Sequence, residues 1–325
     1  MAANQGRHAP VAIPFYKPAR SAQAWAWAYR EARSGGLAGR YTKGPQHDLL
    51  VEELASFLGV NAERIILTGS GCTALAVAAR ALHDFYAPQP DCEMDVPAFS
   101  YRGTNLSMEM GGWTPYPQDV NPLTWCYRPD GSSISCTVDI FGNPAQAHVD
   151  SVVDAAHSLA TADQRRRRGA VECFSLAATK LITGGEGGVI VVNRSAFVPG
   201  IEEHAALFSR LDEMSAALAR WHLRHVDELL EARMPAWDHY AQHIPYRHQR
   251  MRKGFTPSVF GFLAPDREAF LQANEKSGVE FKLYYSDSDP PGDCPTASSI
   301  AKRIAAMPLY EDVPFKDAVD RLTFP

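Results

Sequence analysis

The feature that most constrains the fold is a regular alternation of short β-rich runs with helical segments between residues 65 and 192. Segments with helical spacing, such as "CTALAVAARALHDFY" and "YRGTNLSMEMGG", separate the first runs. Strands that alternate with helices are typical of α/β proteins, in which a mostly parallel sheet is covered on both faces. We therefore predict such a sheet at the centre of the molecule. The runs are "RIILTG", "EMDVPA", "WTPYPQDV", "SCTVDIFG", "DSVVDAA", "AVECFSL" and "GGVIVVN".

The remainder of the chain predicts a second, smaller unit. Residues 207–233, "LFSRLDEMSAALARWHLRHVDELLEAR", have the spacing of one long amphipathic helix. After them come "FTPSVFGFLA", "DREAFLQANEKSG" and "VEFKLYYS", and helical segments near 298–306 and 315–322. We expect a large α/β domain with an N-terminal arm over residues 1–210. A linking helix and a small C-terminal α+β domain are expected over residues 211–325.

Charge and cysteine content narrow the class of protein. The net charge of −5 argues against a nucleic-acid or membrane-surface binder, which is usually basic. The six cysteines are scattered without a Cys-x-x-Cys pair, which suits free thiols in a reducing compartment better than disulfides. No signal-peptide core and no apolar run of about 18 residues occurs, so we expect a cytoplasmic protein without a membrane span. The pairs His222/His225 and His239/His243 have helical spacing but no further ligands, and we predict no metal site.

A glycine-rich turn, "TGSGCTAL", lies between the first predicted strand and its helix. Gly69 and Gly71 would let the backbone approach an anion, which free N–H groups at a helix N-terminus then bind. The same letters fit the dinucleotide pattern Gly-x-Gly-x-x-Ala, with Ala74 in the last position. A tight strand-to-helix turn also needs glycine for steric reasons alone. The segment by itself therefore leaves phosphate binding, dinucleotide binding and a structural turn open.

Other candidate side chains follow two further predicted strands. Asp154 ends "SVVD", where α/β folds place their ligand crevice, although a helix N-cap is the simpler interpretation of a single aspartate. His157 follows three residues later and, taken alone, is a packed or surface histidine. Phe99 and Tyr101 come just after "EMDVP". Singly they are core residues, but at the edge of the sheet one of them could stack on a flat ligand.

One lysine stands in an apolar, glycine-rich stretch, "CFSLAATKLITGGEGG". Ser175 ends the predicted strand, and Lys180 follows five residues later. Partial burial would disfavour the charged form of this lysine and give a nucleophilic amine. A phosphate cradle, an aromatic face, a carboxylate for a pyridine nitrogen and an amine for an aldehyde are what pyridoxal 5'-phosphate requires. The four sites together therefore predict a pyridoxal-phosphate enzyme.

With these residues in this order, the sequence resembles the DegT/StrS-type sugar aminotransferases, a branch of the fold-type I pyridoxal-phosphate enzymes. The resemblance implies that residues 1–210 bind the cofactor. It implies transfer of an amino group from an amino acid, with glutamate the expected donor, to a keto sugar or sugar nucleotide. It also implies a homodimer in which the partner completes each site. The segments that carry it are "YTKGPQHDLLVEELASFLGV", "TGSGCTAL", "VPAFSYRGTN", "VDIFGNPA", "VVDAAHSLA", "FSLAATK", "GGEGGVIVV" and "SRLDEMSAALA".

The resemblance also implies roles for single residues. Lys180 is implied to bond covalently to the cofactor and to shuttle a proton, and Asp154 to pair with the pyridine nitrogen. Tyr101 is implied to stack on the ring, and His157 to lie near the ring hydroxyl. The residues implied to bind the phosphate are Ser70, Gly71, Cys72 and Ser175.

The sequence departs from the family pattern at the phosphate and in the substrate region. Cys72 stands where the family has threonine, and Phe208 stands where it has an asparagine that reaches across the dimer to the phosphate. "QRRRRG", which contains Arg165–Arg168, reads as a solvated loop, with attraction of an anionic substrate as the alternative. "KLYYSDSDPP" replaces a His-Tyr-Pro-rich segment.

These departures keep other reactions open. The altered parts mostly concern substrate recognition, so a dehydratase, decarboxylase or other lyase on the same scaffold stays an alternative. An NAD(P)-dependent oxidoreductase is disfavoured because it explains neither Lys180 nor Asp154.

Overall fold

The alternating strands and helices pack around one central sheet. A computed structural model describes residues 12–17, 22–34, 40–86, 92–159, 168–285 and 293–325. Its helices are α1 Ala22–Ser34, α2 Pro45–Leu58, α3 Gly71–Tyr86, α4 Arg102–Met110, α5 Val198–Phe208, α6 Glu213–Arg224, α7 Val226–His243, α8 Arg267–Ala273, α9 Pro295–Arg303 and α10 Phe315–Asp320. Its strands are β1 Ile65–Thr68, β2 Glu93–Pro97, β3 Thr114–Gln118, β4 Cys136–Val138, β5 Val152–Asp154, β6 Val171–Ser175, β7 Gly188–Val192, β8 Arg247–His248, β9 Phe260–Leu263 and β10 Ile304–Met307.

The central sheet has the strand order β1-β7-β6-β5-β4. β4, β5 and β6 are parallel, whereas β7 runs antiparallel to both β6 and β1. β2 and β3 form a parallel pair beside β4, joined to it by a parallel bridge between Asp95 and Ser135. β5, β6 and β7 are buried at every position, as expected of strands covered on both faces. The prediction of a mostly parallel central sheet is confirmed.

Helices cover both faces of this sheet. α3, α4 and α5 share one apolar cluster with its strands, and α2 and α6 share the other. Because β4, β5 and β6 are parallel, their carboxyl ends lie at the same edge of the sheet. The loops that follow these strands converge there, which is where ligands bind in open α/β sheets.

The C-terminal residues form a second sheet with the order β10-β9-β8, in which neighbours are antiparallel. An apolar cluster joins this sheet to α7, α8 and α10. Ile13 pairs with Val279, so the N-terminal arm lies against this unit. α6 packs with α2 on the central sheet, and the division of the chain at residue 210 stays a prediction. Among the described residues, no helix combines the length and apolarity needed to cross a membrane.

The single long helix predicted over residues 207–233 is wrong. α5 ends at Phe208, and the backbone of Ser209 is extended. α6 begins at Glu213 because Asp212 caps it, accepting hydrogen bonds from the N–H groups of Met214 and Ser215 at 2.9 Å. α7 then continues to His243, well past the predicted end. The apolar spacing is helical after this break, but the Asp212 cap interrupts the predicted helix near its start.

The helix predicted near residues 298–306 is wrong in its second half. α9 ends at Arg303, and the next four residues form β10, which pairs with β9 from Ile304↔Leu263 to Met307↔Phe260. β10 is buried at every position. Pairing with a distant strand therefore overrides the helical preference of "SSIAKRIAAM".

Candidate active site

Three predicted site residues lie together at the carboxyl edge of the sheet. Asp154 is the last residue of β5 and Ser175 the last residue of β6, and these strands are parallel neighbours. Lys180 follows in a tight turn, in which its backbone N–H donates to the carbonyl of Ala177 at 2.9 Å. The register of the sheet thus brings the carboxylate and the amine to one place.

The Lys180 side chain lines a narrow cavity between the loops after β5 and β6. Burial lowers the pKa of this amine to about 8, and the carboxylate of Asp154 acts in the opposite direction. An amine with that pKa is partly neutral near physiological pH, as a nucleophile requires. The other residues of the lining include His157, Leu159, Ser175, Leu181, Thr256 and Ser258.

Asp154 is buried, with 5% of its surface exposed. Its Oδ2 accepts a hydrogen bond from Thr104 Oγ1 at 2.7 Å, and its Oδ1 accepts one from the N–H of Ala156 at 3.1 Å. Burial raises the pKa of this carboxyl, while Thr104, Ala156 and Lys180 act to lower it. Sequence analysis missed Thr104, because the order of residues does not show that α4 crosses the end of β5. The sequence signal for this contact is a hydroxyl-bearing residue in the first helical turn after Tyr101.

The glycine-rich turn forms an anion cradle at the start of α3. The N–H groups of Gly71 and Cys72 have no acceptor among the residues that the structure describes, and they lie in the first turn of a 16-residue helix. A Cβ on Gly71 would lie 2.8 Å from the Cβ of Ser175, so only glycine allows this approach to β6. The Ser70 hydroxyl instead caps the helix, accepting from the N–H of Thr73 at 3.1 Å. Of the predicted phosphate-binding groups, this hydroxyl alone is engaged in a helix cap.

Tyr101 and Cys72 meet at the start of α4. Tyr101 directly precedes α4, and 57% of it is exposed. A Cβ on Gly103 would lie 2.3 Å from the Tyr101 ring and 3.0 Å from the Cys72 sulfur, so these two groups enclose the glycine. Burial and the charge of Asp154 raise the pKa of the Cys72 thiol. It is therefore a neutral thiol beside the cradle.

His157 lies in the loop after β5 and lines the lysine cavity. Burial, with the positive charges of Lys180 and Lys282, holds its pKa well below the usual value, so the ring is neutral. Its backbone carbonyl accepts a hydrogen bond from Ser258 Oγ at 2.6 Å, which ties the segment 256–258 to the site. Sequence analysis did not identify Ser258, because it lies 101 residues away.

The loop after α5 reaches the cradle through Ser209. Its Oγ accepts a hydrogen bond from the N–H of Gly69 at 2.6 Å. The neighbouring Phe208, at the position of the family's asparagine, is 72% exposed. The cross-subunit contact discussed for that position therefore has no polar group on this chain.

Tyr285 is a further residue at the site that sequence analysis did not single out. Its ring packs edge-on against Phe99 at 5.1 Å and stacks on Phe141 at 6.1 Å. Burial, with Tyr284, Asp154 and Tyr101 nearby, raises its pKa well above the usual value. The phenol therefore stays neutral beside the predicted stacking residue and the predicted pyridine partner.

The interpretation of "QRRRRG" as a solvated loop is wrong for its last arginine. Arg168 donates to both carboxylate oxygens of Asp139, at 2.7 and 2.8 Å, and to Glu172 at 3.2 Å. Both carboxylates are fully buried, and they raise the pKa of the guanidinium. Arg168 is thus a structural ion-pair partner and is not available to an anionic substrate. Arg165–Arg167 lie outside the described residues.

The histidine pairs belong to helix surfaces and packing. His222 Nδ1 is bonded to the carbonyl of Leu218 at 2.9 Å, and the rings of His239 and His243 stack at 4.0 Å. In the described ranges, no group of three or more His, Cys, Asp or Glu side chains could hold a metal ion.

The groups around the cavity fit pyridoxal 5'-phosphate. The N–H groups at the start of α3 suit its phosphate, and the exposed ring of Tyr101 offers a face for the pyridine ring. Asp154 supplies the buried carboxylate and Lys180 the amine of lowered pKa. Ser175 Oγ accepts from the N–H of Ala177 at 3.2 Å, which leaves its proton for an acceptor at the cradle.

Comparisons with known proteins agree with this fit. A model of the "DegT/DnrJ/EryC1/StrS aminotransferase family" matches residues 30–139 and 135–322. The chain is 28% identical over 236 residues to dTDP-4-amino-4,6-dideoxy-D-glucose transaminase of Shigella dysenteriae, covering 62% of each protein. It is 24% identical over 327 residues to UDP-N-acetyl-3-dehydro-alpha-D-glucosamine 3-aminotransferase of Acidithiobacillus ferrooxidans, covering 83% of this chain and 85% of that one.

A solved structure shows the same fold. The sugar aminotransferase CalS13 of Micromonospora echinospora superimposes with a TM-score of 0.80 at 17% identity, over 95% of this chain and 98% of that one. The prediction of a fold-type I pyridoxal-phosphate architecture is confirmed. The dinucleotide interpretation of the turn at Gly69 finds no support in these comparisons.

Proposed function

This chain belongs to the DegT/DnrJ/EryC1/StrS family of pyridoxal-phosphate-dependent aminotransferases, and on that premise we propose that it aminates a keto sugar carried on a nucleoside diphosphate. Glutamate is the proposed amino donor. The relatives from Shigella dysenteriae and Acidithiobacillus ferrooxidans are named for dTDP- and UDP-sugars, which supports this class of acceptor.

The observation that carries the proposal is the pairing of Asp154, at the end of β5, with Lys180, in the turn after the neighbouring β6. Each lies close enough to shift the pKa of the other. Burial favours the neutral amine and thereby prepares Lys180 to attack a carbonyl. Asp154, whose two oxygens are fixed by Thr104 and Ala156, is oriented for a hydrogen bond with a protonated ring nitrogen.

We propose that the other site residues hold the cofactor in place. When bound, pyridoxal phosphate supplies an aldehyde for the amine and a ring that withdraws electrons from the substrate carbon. The N–H groups of Gly71 and Cys72 bind its phosphate, with the Ser175 hydroxyl and the Ser70 segment beside them. Two further residues contact the ring: Tyr101 covers one face, and the neutral His157 lies near the hydroxyl.

Lys180 is proposed to move the proton in both half-reactions. Once the amino donor has freed it, the amine takes the proton from the substrate carbon as a general base. It then returns a proton as a general acid. The amine lies in a narrow cavity, where burial favours the neutral form that can accept this proton.

A second copy of the chain is proposed to complete the assembly. Large apolar side chains are exposed on α3, α4 and the end of α5, and they would be covered in a homodimer. They are Phe85, Leu106, Met110, Leu207 and Phe208. We place the enzyme in the cytoplasm, because the six cysteines are free thiols in the structure.

Spectroscopy of the purified protein tests the proposal. The holoenzyme is expected to be yellow, and glutamate is expected to bleach it. UDP-N-acetyl-3-dehydro-alpha-D-glucosamine, or another keto sugar nucleotide, should restore the colour and yield an amino sugar. Lys180→Ala should show no such cycle. A yellow protein whose colour no amino donor changes would contradict the proposal and favour a lyase reaction on the same scaffold.

A further inference from the structure

A basic cavity lies outside the lysine site, between the loop 121–124 and the segment 250–253. Its volume is about 450 Å³. One wall is the loop that follows β3, and the other is the segment that follows β8. The lining residues are Asn121, Leu123, Thr124, Arg250, Met251, Arg252 and Lys253.

Hydrogen bonds fix the two walls of the basic cavity to each other. The N–H of Arg250 donates to the carbonyl of Leu123 at 2.8 Å. The fully buried Asn143 donates to the carbonyls of Thr124 and Arg250, at 3.2 and 3.1 Å, and accepts from the N–H of Arg252 at 2.9 Å. The cavity is therefore a preorganised feature of the fold.

The charges on the wall are all positive and are not neutralised. Arg250, Arg252 and Lys253 form no ion pair with any residue that the structure describes, and no carboxylate lines the cavity. The nearby Asp139 is held by Arg168. Three cations within four residues repel one another, and a bound anion with several oxygens would relieve that repulsion.

The basic cavity and the lysine cavity lie on one continuous segment. Thr256 and Ser258 line the lysine cavity, and the N–H of Thr256 is fixed to the carbonyl of Gly142 at 2.9 Å. Lys253 precedes Thr256 by three residues, so their Cα atoms are at most about 11 Å apart. The segment that carries the cations therefore continues directly into the wall of the lysine cavity.

We propose that the basic cavity binds the diphosphate of the acceptor, with Arg250 and Lys253 as its main charged ligands. The proposal rests on the proposed function, because it names the place where the nucleotide part of that acceptor lies. Arginine binds phosphate oxygens through two parallel N–H groups, which makes Arg250 the stronger contact.

Direct binding to the holoenzyme tests the proposal without turnover. Isothermal titration with inorganic pyrophosphate, dTDP and UDP is compared between wild type, Arg250→Gln, Lys253→Gln and the double variant. Each charged hydrogen bond lost should weaken binding about tenfold or more, and the wild-type affinity should fall as salt is raised. Lys276→Gln removes the same charge from an exposed position outside the cavity lining and should bind as wild type.

The outcome separates this proposal from the function on which it rests. Glutamate should bleach wild type and variants at the same rate, because Arg250 and Lys253 do not contact the lysine cavity. The KM for a keto sugar nucleotide should rise in the variants, with kcat little changed. If the double variant binds dTDP and pyrophosphate as tightly as wild type, the diphosphate lies elsewhere and the proposal is overturned. If glutamate fails to bleach wild type while the diphosphates still bind through Arg250, only the proposed function fails.

Discussion

The acidity of Lys180 can be measured directly on the protein freed of cofactor. Burial lowers the pKa of this amine from 10.5 to about 8, a difference equivalent to about 3 kcal/mol between its protonation states. At pH 7.5 about a quarter of the Lys180 amines would then be neutral, against about one in a thousand for an ordinary lysine. The neutral, reactive fraction of Lys180 is therefore roughly two hundredfold larger, and a small amine reagent should modify it faster than an ordinary lysine at this pH.

The assay is modification of the apoprotein over a pH series, followed by peptide mapping. Modification of Lys180 should rise to a plateau with a midpoint near pH 8, with the exposed Lys276 as the internal comparison. Asp154→Asn removes the negative charge that raises the Lys180 pKa, so its midpoint should move below that of wild type. A midpoint near 10.5, or an upward shift in Asp154→Asn, would refute the reasoning.

The same acidity makes the stability of the apoprotein depend on pH. Lys180 loses its proton near pH 8 in the folded chain and near pH 10.5 in the unfolded chain, so the unfolded state binds more protons between these values. The contribution of this group to stability therefore rises with pH across that window. Lys180→Met should remove this rise, which urea unfolding at a series of pH values would show.

Three further substitutions test the site and its support. Thr104→Val should raise the pKa of the buried Asp154 and lower kcat about tenfold, whereas Thr104→Ser keeps the hydroxyl and should retain most of the activity. A pH profile of the half-reaction with glutamate distinguishes the two variants. Gly71→Ala should release the cofactor on dialysis, because the added Cβ would lie 2.8 Å from the Cβ of Ser175 in β6. Gly200→Ala, whose Cβ has an ordinary contact at 3.7 Å, should retain the cofactor, and equal retention by the two variants would contradict the proposed anion cradle. Glu213→Gln should lower the free energy of unfolding by about 1–3 kcal/mol, because the buried carboxylate of Glu213 accepts hydrogen bonds from three N–H groups at the start of α2. In the same denaturant titration, Glu202→Gln on the surface should change it by almost nothing.

The sequence alone predicts the site residues that stand at or just after the ends of strands. Asp154, Ser175 and Lys180 stand just after apolar runs, and parallel pairing of β5 and β6 brings such positions together. Thr104 and Ser258 could not be found in this way, because their partners lie 50 and 101 residues away and no periodic pattern encodes the contact. The break in the helix predicted over residues 207–233 is a different case from these long-range contacts. A local feature of the sequence, the Asp212 cap, causes it.

The aromatic layer beneath the site shows why packing, rather than local preference, sets this region. Trp125, Phe141 and Tyr285 all have φ near +57°, a conformation that costs a bulky residue of the order of 1–3 kcal/mol. All three rings pack against Phe99, at 6.4, 6.3 and 5.1 Å. Aromatic contacts of this kind offset roughly 0.5–1.5 kcal/mol each beyond the area that they bury. Phe99 lies two residues before Tyr101. The strained residues therefore pack around the segment that positions the aromatic ring of the site.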